Sequence, residues 1–426
     1  MTASAVFFTQ ALLVIGLPYL VWRIPGVHGM VPLVVLQILL GVTLGPSVLG
    51  HVAPETWSVL FANNSIQSLT GPAWLAIVLF TFLTGLHLDP TELKSLGRRF
   101  AIVSLLSFLV PSIVGGFTGA FIAGRFPESV GPNATPLHFA IAIGLSSGVT
   151  ALPVLGAILR ETGLREHRLG RITLGMAATN DAILWAILAI FLAGATRGGD
   201  SGLTGSFWVP LAIVPYMLIM VFVVGPLLRR ILVQDSILGD AGLITVCISV
   251  FGSALATEWI GLHVALGGFM MGVIIPRAYK QTLIDRLEPI TVVVLLPFFF
   301  TLTGMRTSFD VTSDHLATIT LIVTLVSMAG KFIGTTFPAR WTGESWPASI
   351  KLGVLMQTKG MMEVLILSIF REAGIISDSC FSAMMFMAII TTFLTLPMLR
   401  GIMRLAPGSR EIDMPANAPP VPVSDR

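Results

Sequence analysis

Apolar stretches the length of a membrane-crossing helix recur along nearly the whole chain, separated only by short polar breaks. A helix of roughly 20 apolar residues matches the hydrocarbon core of a bilayer, and recurrence of that length restricts the chain to an all-α polytopic membrane fold. Composition removes the soluble alternative. Hydrophobic residues make up 54% of the chain and charged residues 11%, whereas an average soluble domain is about a quarter charged. A net charge of +3 is too small to argue for a nucleic-acid partner. Cys247 and Cys380 lie far apart in apolar stretches and predict neither a disulfide nor a metal site. The N-terminus has no charged n-region and no cleavage site, so it is expected to be a first span and not a removed signal.

Thirteen candidate spans follow: residues 5–23, 30–49, 68–88, 100–124, 136–160, 171–195, 207–231, 240–258, 261–277, 288–306, 314–336, 347–370 and 380–404. Residues 1–406 are expected to form one membrane domain, and the proline-rich tail 407–426 to be disordered. Nineteen of the 25 basic residues fall in breaks after odd-numbered spans or in the tail, against four (Arg125, Arg197, Arg306 and Arg371) after even-numbered ones. Because basic residues concentrate on the cytoplasmic side, the N-terminus is expected outside and the C-terminus in the cytoplasm of a plasma membrane, of bacterial inner-membrane type.

Four charges break the pattern by lying inside spans: Asp181, Lys331, Lys359 and Glu363. An ionisable group at the bilayer centre costs about 2.5–3.5 kcal/mol on insertion scales, so each must face protein or water. Lys359 and Glu363 are four apart and could simply pair along a helix; Asp181 has no basic neighbour in sequence. Span five carries Ser146, Ser147, Gly148, Thr150 and Pro153 at its middle, and span twelve carries Thr358, Lys359 and Gly360. Both read as broken helices whose carbonyls and hydroxyls face a cavity. They are the fifth span of two halves, about 5–195 and 240–404, with 207–231 as a linker helix, which is the pattern of an inverted-repeat transporter. Oxygen ligands of this kind suit a monovalent cation, Na⁺ or K⁺, and a proton. Small-residue pairs Gly41/Gly45, Gly115/Gly119 and Gly268/Gly272 read as helix-packing seams.

Other chemistries lose support. "GLSSG" at 144–148 fits a serine-hydrolase pattern but lies inside a span without the strand–turn–helix that pattern needs. The chain has no H-E-x-x-H and no P-loop motif, so it is expected to be neither an enzyme nor an ATP-driven pump, and to need no cofactor.

Six segments in order, "ILLGVTLGPSVLG" (38–50), "FLTGLHLDPTELK" (82–94), "ATNDAILW" (178–185), "HVALGGFMMGVIIPR" (263–277), "LLPFFFTLTGMRT" (295–307) and "QTKGMMEVLIL" (357–367), together resemble the second cation:proton antiporter family, the monovalent-cation exchangers related to Kef-type and plant cation/proton exchangers. The resemblance covers the chain to about residue 405. It implies a sodium/proton-antiporter-like fold with two crossing broken helices, and a core that moves against a dimerisation domain, hence a homodimer among membrane lipid. It also implies one carboxylate for which cation and proton compete by alternating access. The family's paired polar residues match Asn180 and Asp181, with Asp181 as the ion and proton carboxylate; its lysine after "PFFFTLTG" matches Lys331. The crossing helices match spans five and twelve, placing Thr150 and Thr358 near the crossing, with Ser147 beside them and Lys359 and Glu363 compensating charge. The chain departs from the family in three ways. Asn180 stands where relatives often carry a second acid. His87 stands where the third-span motif often has an acid. No nucleotide-binding regulatory domain follows the membrane part, so ligand-gated efflux is not expected. A gated K⁺ pathway and an organic-anion symporter are the alternatives on the same fold.

Overall fold

Backbone groups in lipid must satisfy one another, which leaves continuous helices as the economical element for such apolar runs. The computed structural model describes residues 2–24, 31, 33–61, 63–88, 97–164, 167–195, 215–232, 239–307 and 315–405. The tail 407–426, expected to be disordered, lies outside the described residues, as do residues 207–214 of the expected linker helix.

The helices are α1 (Ala3–Trp22), α2 (Leu33–Leu44), α3 (Asn63–His87), α4 (Gly97–Arg125), α5 (Pro136–Gly148), α6 (Leu152–Glu161), α7 (Arg168–Ala195) and α8 (Pro215–Leu232). They continue as α9 (Asp240–Ile260), α10 (Val264–Ile274), α11 (Arg277–Met305), α12 (Leu316–Trp341), α13 (Trp346–Leu355), α14 (Met361–Glu372) and α15 (Asp378–Leu405). Two short helical turns, Leu49–Val52 and Pro54–Phe61, lie between α2 and α3. Ten helical segments are long and apolar enough to cross a membrane among the described residues. The other three expected spans fall on shorter helices: 136–160 on α5 and α6, 261–277 on α10, and 347–370 on α13 and α14.

Local sequence sets several of the ends. Thr135 and His138 form a capping box at the start of α5, with Pro136 in the first turn, where a missing N–H is harmless. Ser345 caps α13 in the same manner, its hydroxyl accepting from the Ala348 N–H. Gly261 ends α9 at φ 87°, a left-handed conformation that favours glycine. Pro276 stops α10, and the charged stretch after it, read from sequence as a break, is the first half of α11.

Close approach of backbones fixes the packing. A methyl group on Gly115 or Gly119 of α4 would collide with Ser147 or Ala140 of α5. Gly41 of α2 likewise meets Thr301 of α11, and Gly268 and Gly272 of α10 meet Val78 and Phe82 of α3. These are the seams expected from the small-residue pairs, and only glycine allows them. Packing sorts the helices into two sets. In one, α4 packs on α5 and α12, and α12 on α13 and α15; in the other, α2 packs on α11, and α3 on α10 and α11. Helix α7 touches both: it packs on α4, α5 and α6, and also on α3, with Trp185 stacked on Phe269 of α10 at a centroid distance of 5.7 Å.

Contacts between chain breaks follow the alternation read from the basic residues. Arg168 binds Glu344, Lys280 binds the Leu88 carbonyl and Tyr279 binds the Leu232 carbonyl, each joining regions after odd-numbered segments. Arg306 binds Glu372, and Gly131 N–H donates to the Ile375 carbonyl, joining regions after even-numbered ones.

Candidate ion-binding site

Helix α5 ends at Gly148, residues 149–151 run extended, and α6 starts at Leu152. Pro153, expected to make the break, is the second residue of α6. The proline therefore starts the second half-helix, as its fixed φ and missing donor favour, and the break itself belongs to Val149–Ala151. Helix α13 ends at Leu355, and α14 starts after Gly360, whose φ of 124° only glycine adopts freely.

The two breaks hold one another. The Ala151 N–H donates to the Thr358 carbonyl at 2.8 Å, and the Thr150 hydroxyl to the Met356 carbonyl at 2.9 Å. The Thr358 hydroxyl donates to Leu355 O at 2.7 Å and the Ser147 hydroxyl to Ile143 O at 2.8 Å. Each hydroxyl spends its proton on backbone and keeps oxygen lone pairs, which is what a cation requires.

The end of α5 exposes carbonyls that carry its negative dipole end. Two buried lysines take them: Lys331 of α12 donates to Gly148 O, and Lys359 donates to Ser146 O at 2.7 Å and Ser147 O at 3.1 Å. Lys359 also lies 2.7 Å from Glu363. The simple pair along one helix is not what forms, because Lys359 precedes Gly360 and lies in the break, while Glu363 stands in the first turn of α14. The ion pair spans the break and is tied to α5.

Asp181 sits in the middle of α7 at 1% exposure, and neither carboxylate oxygen has a hydrogen-bond partner among the described residues. None of the hydroxyls of Ser147, Thr150 and Thr358 bonds it; Lys331 acts on it electrostatically without pairing. Asn180 next to it is fully bonded in one orientation of its amide. Its oxygen then accepts from Lys331 Nζ at 3.3 Å and Ser107 Oγ at 3.1 Å, and its nitrogen donates to Ser104 O at 2.9 Å and Met176 O at 3.3 Å. The structure thus joins Asn180, Lys331, Lys359, Glu363, Ser147, Thr150 and Thr358 in one bonded network and leaves Asp181 beside it, unpaired.

The Ser146 hydroxyl, read from sequence as part of the polar break, is buried with no hydrogen-bond partner among the described residues. Sequence reasoning missed two contributors, Ser104 and Ser107 of α4, which hold Asn180. The signal on α4 was available as two serines three apart in an apolar span, one helical face. Lys351, counted from sequence as lying in a break, is buried within α13.

Two interrupted helices crossing beside a buried, unpaired carboxylate in an apolar helical protein are the arrangement found in secondary transporters. The model of the sodium/hydrogen exchanger family, transmembrane, matches residues 11–403, and the chain belongs to that family and is an integral membrane protein. It is 32% identical over 377 residues to cation/H⁺ antiporter 17 of Arabidopsis thaliana, covering 87% of this chain and 45% of that protein. It is 32% identical over 375 residues to the Na⁺/H⁺ antiporter NhaS4 of Synechocystis, covering 86% of this chain and 90% of the relative. K⁺/H⁺ antiporter 1 of Saccharomyces cerevisiae is 30% identical, covering 86% of this chain and 43% of that protein. The chain thus spans about half the length of the plant and yeast relatives and most of the cyanobacterial one. Its fold matches the sodium proton antiporter MjNhaP1 of Methanocaldococcus jannaschii with a TM-score of 0.67 at 12% identity, covering 98% of this chain and 100% of the other.

Proposed function

We propose that the protein exchanges a monovalent cation, Na⁺ or K⁺, for H⁺ across its membrane by alternating access, with Asp181 alternately protonated and cation-bound. The observation that carries this reading is the isolation of Asp181. A buried carboxylate without a hydrogen bond or ion pair is costly as a bare anion and becomes acceptable with a proton or a cation on it. The two charge states needed by an exchanger are the two states this position favours. Ser147, Thr150 and Thr358 supply lone pairs at the crossing, and Asn180 sets Lys331 beside the carboxylate without competing for the ion. Lys331, Lys359 and Glu363 keep the crossing fixed. The relatives named Na⁺/H⁺ and K⁺/H⁺ antiporters support the class of cargo.

The further parts of this reading are a thirteen-span topology with an outside N-terminus and cytoplasmic C-terminus, two repeat halves joined by a linker helix, a homodimer, and residence in a plasma membrane of bacterial inner-membrane type. The test is a pH-sensitive dye inside inverted vesicles, challenged with NaCl and KCl in turn. The wild type dequenches the dye with at least one salt, and Asp181→Asn inserts normally but does not. Full activity of that variant overturns the assignment.

A further inference from the structure

The face of α7 that carries Asp181 continues through Trp185, Leu188 and Leu192, four, seven and eleven residues on, toward the end of the molecule with the regions after even-numbered segments. There these side chains meet Leu262, His263 and Leu266 around a void of about 10 Å³. A void of that size holds one water at most, so the way to Asp181 from this end is shut by side chains. The Trp185 indole N–H is buried without a partner among the described residues; the ring is held by its stacking on Phe269 and not by a hydrogen bond.

One carboxylate ties the rim of this closure. Glu372 is the last residue of α14, which packs chiefly on α15, α5 and α6. Its Oε1 accepts from Arg306 Nη1 at 3.0 Å, and its Oε2 lies 4.0 Å from His263 Nε2. Arg306 follows α11 and His263 precedes α10, so both belong to the opposite helix set. His263 Nδ1 accepts from the Ala265 N–H at 3.2 Å and caps α10; the ring proton is therefore on Nε2, the nitrogen that faces Glu372. Arg371, next in sequence, is taken by Asp378 at 2.6 Å and does not compete. Arg306 and Glu372 are about half-exposed, and an exposed pair shifts an equilibrium by up to about fivefold. That is too little to hold a fold together and enough to bias a joint that opens in every cycle.

We propose that Glu372 is a positioning residue for the exchange: its contacts with Arg306 and His263 hold the passage beside Trp185 closed, and they break each time Asp181 opens to that end. Glu372 takes no part in the bonded network at the crossing. It acts through the separation between α14 on one side and the ends of α10 and α11 on the other, and so decides how often the carboxylate of Asp181 is reached from this face. The role in transport rests on the exchange reading; the closure itself rests on the contacts alone.

The test uses the full chain in nanodiscs, with Cys247 and Cys380 replaced by alanine and Ala189→Cys introduced. Ala189 lines the closed void and is 4% exposed, so the rate at which N-ethylmaleimide modifies a cysteine there reads how often the passage opens. The reagent is neutral, and the charges of the variants do not steer it. Glu128→Cys, at an exposed position, corrects for reagent reactivity. Glu372→Gln and Arg306→Gln are each expected to speed modification at 189 by up to about fivefold, and the two together no more than either alone. The exchanged pair, Arg306→Glu with Glu372→Arg, is expected to return the rate toward wild type, which a residue that merely loosens the fold when changed would not do. An unchanged rate in Glu372→Gln overturns the proposal, and so does an exchanged pair that reacts as fast as Glu372→Gln. Modification needs no transport, so loss of the exchange reading in the dye assay and loss of this closure are seen separately.

Discussion

Lys359 and Glu363 hold their charges 2.7 Å apart, yet they share no helix: one lies in the break and the other in the first turn after it. Lys359 therefore serves two masters, the carboxylate and the Ser146 and Ser147 carbonyls at the end of α5. Removing one partner of a buried ion pair typically destabilises by about 3–5 kcal/mol, while replacing both by apolar residues is far milder. Lys359→Met is expected to lower the unfolding temperature in detergent sharply, and Lys359→Met/Glu363→Leu to recover most of that loss. Equal losses in the single and double variants would show that the pair is not the source of the effect.

Gly360 permits the break in span twelve. An alanine there keeps a φ of 124° only under strain, and its Cβ would stand 3.1 Å from Val154 Cγ2. Gly360→Ala is expected to cost about 1–3 kcal/mol and to slow dye dequenching. Gly401→Ala in α15, with open space around it, is the control and is expected to be neutral or stabilising by up to about 1 kcal/mol. Matching thermal shifts in the two variants would contradict the assignment of strain to Gly360.

Stoichiometry follows from Asn180. It cannot titrate, and Lys331 has its ammonium engaged by Gly148 O and the Asn180 oxygen. If Asp181 alone changes charge, one proton leaves for each monovalent cation that enters, and no net charge moves. The cycle then ignores the membrane potential, which otherwise contributes about 2.3 kcal/mol per charge per 100 mV. Solid-supported-membrane recordings of the protein in liposomes are expected to show no sustained transient current on a cation jump. Currents present in the wild type, absent in Asp181→Asn and altered in Lys331→Gln would establish electrogenic exchange instead.

Topology is testable at two exposed positions. Glu128 follows α4 and Asp285 lies in the polar first half of α11. On a background with Cys247 and Cys380 replaced by alanine, a cysteine at 128 is expected to react with an impermeant maleimide from outside, and one at 285 from the cytoplasm. Reaction of both from one side would break the alternation.

Hydropathy made most of the fold legible, because length and apolarity together leave a membrane chain few choices. The unpaired Asp181 was legible for the same reason: a lone carboxylate at that depth has to be explained. Other elements escaped. Residues 277–289 carry enough charge to read as a loop, yet they form a helix that buries Tyr279, Leu283 and Leu287; hydropathy does not separate a polar helix from a turn. Ser104 and Ser107 escaped because a serine costs little in a span and is easily taken for a packing residue. The position of the break before Pro153 depends on what accepts the freed backbone groups, here Thr358, 207 residues away from Ala151, and no local pattern reports that.

The glycine seams have a further consequence. Among the described residues, no helical glycine whose added Cβ would fall within 3.0 Å of another element, such as Gly41, Gly119, Gly144, Gly268 and Gly334, makes that approach across from one helix set to the other. Each set is thus clamped internally by contacts that tolerate no added volume, while the plane between them relies on ordinary side-chain packing. On the alternating-access exchange proposed above, that plane is where the two sets are expected to shear. It is also where sequence is free to change size, so a survey of substitutions should find bulk accepted along it and refused within either half.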